Sequence, residues 1–313
     1  GQDSSGSLPD GGFQPQTGTL PTGVGSALYG AVGGMVMGDA GKAYGAFVSG
    51  TTYADALTTN PQLFAPTGSG PFTFAAVGAQ ISAFDGDDLV YGTEHADVLS
   101  GGNGNDTIYS FVSTLNSGGG VDAELVTGGA GNDMLHAGGT AGTFDGGDGT
   151  DTFAVLYYGN DPALQLEVDL IQGYAAERAL PADTTAPVGD DPPFIGTGTG
   201  RVPNNYVLTG IENVIGGPGN DWIRAASGSL VEGGAGADYL DAKAGGVTLS
   251  YAGSAGGVTV QMYADGAQTS GGDAAGDVIG YDDPGDVTAV IGSTGNDWLG
   301  GYSDGAVFAF AGN

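Results

Sequence analysis

Cysteine is absent from the chain. No disulfide can close a loop, and no thiolate can hold a metal. Positive charge is nearly absent as well. Lys42, Arg178, Arg201, Arg224 and Lys243 stand against 36 Asp and Glu, leaving a formal charge of −31. Such a surface repels phosphate backbones and anionic bilayers, so binding to nucleic acid or to an acidic membrane by charge is excluded. No run reaches the roughly 20 apolar residues of a helical membrane span, and no membrane insertion is expected. Histidine occurs only at His95 and His136. Neither an H-E-x-x-H zinc signature nor a G-x-S-x-G elbow is present. Carboxylates are too evenly spread to single out a catalytic pair, so the chain is expected not to be an enzyme.

What is abundant is glycine, and it is periodic. Gly101-Gly102-Asn103-Gly104-Asn105-Asp106-Thr107-Ile108-Tyr109 has the form G-G-x-G-x-D-x-U-x, with U a large apolar residue. The pattern returns at Gly128 and at Gly146, offset by multiples of nine. Counting both ways, the eighth positions read Val90, Leu99, Ile108, Ser117, Val126, Leu135, Phe144 and Phe153. The sixth positions read Asp88, Asp97, Asp106, Leu115, Glu124, Asp133, Gly142 and Asp151. Residues 83–154 therefore read as eight nine-residue steps.

In each step the Gly-rich six turn the chain, and x-U-x makes a short strand with U pointing to one side. Two steps make one coil of a flattened helix. Coils about 4.8 Å apart stack the sixth-position carboxylates in a ladder along each edge. Two bare carboxylates that close repel by roughly 1 kcal/mol in water and about 3–4 kcal/mol at an effective dielectric of 20. A cation between the rungs removes that cost. Calcium suits the position, being a hard ion that takes six to eight carboxylate and carbonyl oxygens.

The nonapeptides resemble the RTX, or haemolysin-type, calcium-binding repeats of bacterial proteins. The resemblance implies an all-β fold, a right-handed parallel β-roll (a β-solenoid) with Ca2+ in the turns. It implies metal ligands at Asp88, Asp97, Asp106, Asp133 and Asp151, with Glu124, and at Asp221, Asp238 and Asp297 in later copies. Main-chain carbonyls of Gly102, Gly104, Gly129 and Gly131 complete the expected set. Same-edge turns 18 residues apart would pair Asp88 with Asp106, Asp106 with Glu124, and Asp133 with Asp151. Asp221 and Asp238, 17 apart, would share an ion. Asp97 would face Leu115, a weak or empty site.

The remaining organisation follows from composition. Residues 1–24 read as a mobile arm. Residues 25–82 read as a cap or assembly segment of unknown fold, whose Gly30, Gly34 and Gly38 suit either one helix face or Gly-rich strands. Residues 155–210 are an excursion with a half-buried alternating strand at 164–170 and a Pro-rich loop at 181–203. A second block of turns fills 211–245. A second excursion at 246–288 has an alternating strand at 257–262. A third block, 289–313, stops short, which suggests a piece of a longer polypeptide. Trp222 and Trp298 share one repeat position 76 residues apart and are expected to pack over a coil edge, with stacking on a surface glycan as the alternative. His136 is expected to be solvated, and His95 to be a tolerated glycine replacement.

The expected function is a secreted calcium-binding structural protein of the cell surface: an S-layer, filament or adhesin subunit that self-associates into a polymer or layer. The expected location is extracellular or on the bacterial cell surface, after type I export. The alternative is the calcium-folding, secretion-linked repeat region of a larger enzyme or toxin.

Overall fold

The computed structural model describes residues 78–92, 96–110, 124–138, 141–155, 164–179, 204–264 and 266–301, with short strands outside these spans. Apart from two 3₁₀ turns, at Gly272–Ala274 and Pro284–Asp286, every regular element among them is a strand. The chain divides into two units, Gly1–Asp151 and Thr152–Asn313.

In the first unit the x-U-x triplets form parallel strands. Leu89–Tyr91, Thr107–Tyr109 and Met134–Ala137 lie side by side, with Val90, Ile108 and Leu135 in one register. Ala79–Asp85, Val98–Asn103, Glu124–Ala130 and Gly142–Asp148 form the second sheet, with Ile81, Leu99, Val126 and Phe144 aligned. These seven apolar side chains are at most 1% exposed, and their neighbours along the strands face outward. Burial of each stabilises the fold by about 1.5–3 kcal/mol. The fold is thus the expected parallel β-roll.

The register differs from the expected one at one step. Successive coils are 18 and 27 residues apart on the first sheet and 18, 27 and 18 on the second. Two nine-residue steps make a coil, so a third step cannot stay in the wall without moving every later strand to the opposite sheet. The extra nine residues fall between Ser110 and Glu124, the stretch where the turn code lapses.

Upstream, Ser26–Tyr29 and Asp55–Thr58 are parallel to Leu89–Tyr91, and Ala46–Ser49 is parallel to Ala79–Asp85. Val36–Met37 and Ala43–Tyr44 pair antiparallel, so the strand alternative holds at these positions. Gln16–Thr17, inside the expected mobile arm, pairs antiparallel with Ser26–Tyr29, so the arm is tied to the sheet at that point. The rest of the arm, the side chains of residues 25–58, His95, Leu115 and the 181–203 loop lie outside the described residues.

In the second unit, Thr152–Val155, Asn213–Ile215, Leu230–Glu232, Val247–Ser250, Val287–Ile291 and Val307–Ala309 run parallel. Opposite, Val278–Gly280, Tyr239–Asp241, Trp222–Arg224 and Leu164–Asp169 are parallel, followed by antiparallel Tyr174–Ala179 and Asn204–Thr209. Two expectations change here. The strand at 164–169 is not half-buried, because Gln165, Glu167 and Asp169 are buried too. Tyr174 and Arg224 meet its polar side with hydrogen bonds to Glu167 and Asp169. Trp222 is fully buried but Trp298 is 68% exposed, so the two tryptophans do not share an environment.

Candidate metal centre

The turns explain their own glycines. A Cβ on Gly129 would lie 2.0 Å from the Gly102 carbonyl oxygen of the preceding coil, and φ there is +128°. Both facts demand glycine. The carbonyls of Gly102, Gly104, Gly129 and Gly131 point in this way at the glycine of the following coil, into the space between coils. The first glycine of each turn has another task. A Cβ on Gly101 would lie 2.1 Å from Oδ2 of Asp106, and one on Gly128 2.2 Å from Oδ2 of Asp133. That glycine makes room for the carboxylate five residues on.

The carboxylates of Asp106, Glu124, Asp133 and Asp151 each reach the preceding coil. The Asp88 amide donates to Asp106 Oδ1 at 2.8 Å, the Asp106 amide to Asp133 at 2.8 Å, and the Asp133 amide to Asp151 at 2.7 Å. On the other edge the Asp97 amide donates to Glu124 Oε2 at 2.9 Å. The pairings of Asp88 with Asp106 and of Asp133 with Asp151 are as expected. Asp106 faces Asp133 rather than Glu124, and Asp97 faces Glu124 rather than Leu115. Both corrections follow from the 27-residue coil.

The second unit repeats the device. The Leu166 amide donates to Asp221 at 2.7 Å, the Asp221 amide to Asp238 at 2.8 Å, and the Val258 amide to Asp297 at 2.9 Å. One rung escaped the sequence reading. The Asp238 amide donates to Asp277 Oδ1 at 2.9 Å, so Asp277 continues the ladder. Its turn, Gly271-Gly272-Asp273-Ala274-Ala275-Gly276-Asp277, is one residue longer than the nonapeptide code, which hid it. A parallel ladder at the fifth position was also missed. The Asn105 amide donates to Asp87, the Asn132 amide to Asn105, the Thr150 amide to Asn132, and the Ala237 amide to Asn220. The repeated Gly-Asn-Asp triplet was its signal.

These backbone bonds use one oxygen of each carboxylate. The second oxygens of Asp106, Asp133, Asp238 and Asp297 are buried and accept no hydrogen bond. Burial pushes the carboxyls of Asp106 and Asp133 up to about 6, against the pull of their backbone bonds. Asp238 is driven well above the usual carboxylate range by burial, then by the charges of Asp221 and Asp277. A carboxylate held this way is short of positive charge. Among the described residues no three or more acidic or histidine side chains converge as a ready-made cage. A cation held here takes one or two carboxylates and fills its shell with main-chain carbonyls, as a hard oxygen-seeking ion does. The residues fit Ca2+.

His136 is not solvated as expected. It is half-buried, its ring stacks on Tyr109 at 4.3 Å, and burial lowers its imidazole to about 4. Tyr109 stacks in turn on Tyr91 at 4.9 Å.

The RTX calcium-binding nonapeptide repeat matches the chain in four copies, at residues 82–110, 118–153, 206–229 and 230–249. No curated protein matches it.

Proposed function

From a chain that carries RTX calcium-binding nonapeptide repeats and binds Ca2+ through them, we propose a secreted structural protein of the bacterial cell surface, a subunit of an S-layer, filament or adhesin. In this reading the chain leaves the cell by type I export and stays unfolded where calcium is scarce. It folds and self-associates where calcium is plentiful. The observation that carries the reading is the carboxylate ladder, which occupies turns in both units and leaves second oxygens of Asp106, Asp133, Asp238 and Asp297 for a metal. Ligands drawn from separate coils couple metal binding to folding.

The test is assembly. The native chain is run on a sizing column and imaged by electron microscopy, with calcium and after EGTA. Calcium-dependent filaments or sheets support the proposal. A folded, calcium-loaded chain that stays monomeric at high concentration overturns it, and favours the repeat region of a larger secreted enzyme or toxin.

A further inference from the structure

We infer that the outer face of the small three-stranded sheet in the second unit is a binding platform for a neutral polysaccharide. The sheet orders Gly266–Ser270, Thr259–Tyr263 and Trp298–Gly300. Val260 and Met262 point inward and are buried. The opposite face carries Thr259, Gln261 and Tyr263 on the central strand, with Trp298 opposite Thr259 on one side and Ser270 and Gln268 opposite Thr259 and Gln261 on the other. Trp298 is 68% exposed, whereas its repeat counterpart Trp222 is fully buried. An exposed tryptophan on a sheet face is surface that water covers poorly, and its ring offers a flat apolar plane with a polar edge.

The chemistry of the face selects the occupant. In a chain of charge −31, these six outward side chains include no carboxylate and no cation. Asp297, next to Trp298, turns inward to the Val258 amide and the Ser293 hydroxyl. Hydroxyls and carboxamides lie between two aromatic rings. The Tyr263 hydroxyl donates to the Gln261 side-chain oxygen, which leaves the Gln261 amide nitrogen as a donor. Trp298 sits at the level of Thr259, four residues from Tyr263 on one face, a span of about 13 Å at a strand's ~3.3 Å rise. Apolar planes at two ends with uncharged donors and acceptors between them match a short run of sugar rings, whose faces stack and whose hydroxyls both donate and accept. An anionic glycan would meet the acidic charge of the whole chain, so the neutral class is favoured.

The test uses the full calcium-loaded chain and three neutral probes: cellohexaose, chitohexaose and mannohexaose, with polygalacturonate as the anionic comparator. Binding is followed by calorimetry, and Trp298 exposure by acrylamide quenching. At least one neutral probe should bind and shield Trp298, while polygalacturonate does not. Trp298→Ala should weaken binding about ten-fold or more, as loss of a central aromatic anchor does. Trp298→Phe should recover part of it, and Tyr263→Ala should cost less than Trp298→Ala. Circular dichroism and calcium uptake of the variants should stay unchanged. If no neutral probe binds, or Trp298→Ala binds as well as the parent, the inference falls. It also falls if Trp298 becomes shielded with protein concentration alone, which would assign the face to a second copy of the chain.

Discussion

The two units carry the same acidic ladder and neutralise it differently. In the first, Asp106 and Asp133 each keep a buried oxygen that no protein donor meets. In the second, Asp238 and Asp297 keep such an oxygen too, but the chain also supplies donors of its own to the carboxylates around them. Arg224 bonds Asp169 and Asp241, both at 3.1 Å, and lies 4.9 Å over the Trp222 ring. The buried Tyr251 hydroxyl donates to Asp277 at 3.0 Å, and Tyr174 donates to Glu167 at 2.7 Å. Gly217 gives its amide to the second oxygen of Asp221. A chain with five cations uses one of them between two coils, where the first unit's turns must draw an ion from solution. Dependence on calcium should therefore be graded along the chain, with the first unit at the steep end.

The largest expected effect comes from chelation. Exhaustive EGTA treatment should collapse amide-exchange protection at Asp88, Asp106 and Asp133 before it touches Trp222–Arg224 and Tyr239–Asp241. Simultaneous loss throughout would break the comparison. Arg224→Met tests the other side. It leaves Asp169 and Asp241 buried without their cation, which costs about 3–5 kcal/mol for a fully buried pair. About 3 kcal/mol is expected here, since Arg224 is partly exposed and solvent screens it. Urea midpoints should show that loss at every calcium concentration. A loss rescued by added calcium would mean that the metal reaches these carboxylates too.

Tyr251→Phe comes next. It removes the buried donor of Asp277, whose carboxyl burial already raises to about 7. An unsatisfied buried acceptor costs roughly 1–3 kcal/mol. The loss should be largest above pH 7, where Asp277 is ionised, and should shrink on acidification.

The pH dependence of the metal-free chain has a definite sign. Asp106 and Asp133 hold protons in the fold up to about pH 6, where an unfolded chain has lost them above about 4. The folded state binds more protons in that window, so stability falls as pH rises through it and stays low above. His136 acts the other way. Lowered to about 4, it contributes stability above about pH 6.5 that is lost as pH falls toward 4. Two carboxyls outweigh one imidazole, so the melting temperature without calcium should rise from pH 7 to pH 4. Saturating calcium should flatten or reverse that slope. A calcium-free chain that is most stable at pH 7 would contradict the burial of these groups.

Much of this was legible in the sequence because glycine, aspartate and apolar residues each occupy a fixed place in a nine-residue step. The eighth positions named the core residues Val90, Leu99, Ile108, Val126, Leu135, Phe144 and Phe153, all buried. What escaped depends on pairing between coils. A period of nine does not say whether a lapsed step stays in the wall, so Asp97 was set opposite Leu115 and not Glu124. Alternation at 164–169 marks two faces but not what covers the polar one, and Arg224 lies 55 residues away from Asp169. One inserted residue hid Asp277. Trp298 and Trp222 share a repeat position, yet the strand beside each differs. Trp222 lies between Glu167 and Tyr239, whereas Trp298 pairs with Thr259 in the small sheet.

The smallest effect concerns where the first unit's ladder ends. Phe84 occupies the position held by Gly102 and Gly129 in later coils, and it is the one non-glycine residue with positive φ among the described residues, at 80°. In those coils the preceding carbonyl fills the place of a Cβ. A side chain at 84 is incompatible with a carbonyl stacked in that way, so the Gly-rich turn ladder starts here. The left-handed conformation costs a non-glycine residue about 1–2 kcal/mol, and glycine returns about 0.5–1 kcal/mol of that through the freedom of the unfolded chain. The Phe84 side chain is 52% exposed, so removing it gives up the covered half, worth about 1 kcal/mol. Phe84→Gly should therefore shift stability by no more than about 0.5 kcal/mol in urea melts. The shift should be the same with and without calcium. A larger destabilisation would mean that the ring packs on residues upstream and caps the ladder by contact; an altered calcium affinity would mean that the ladder continues past it.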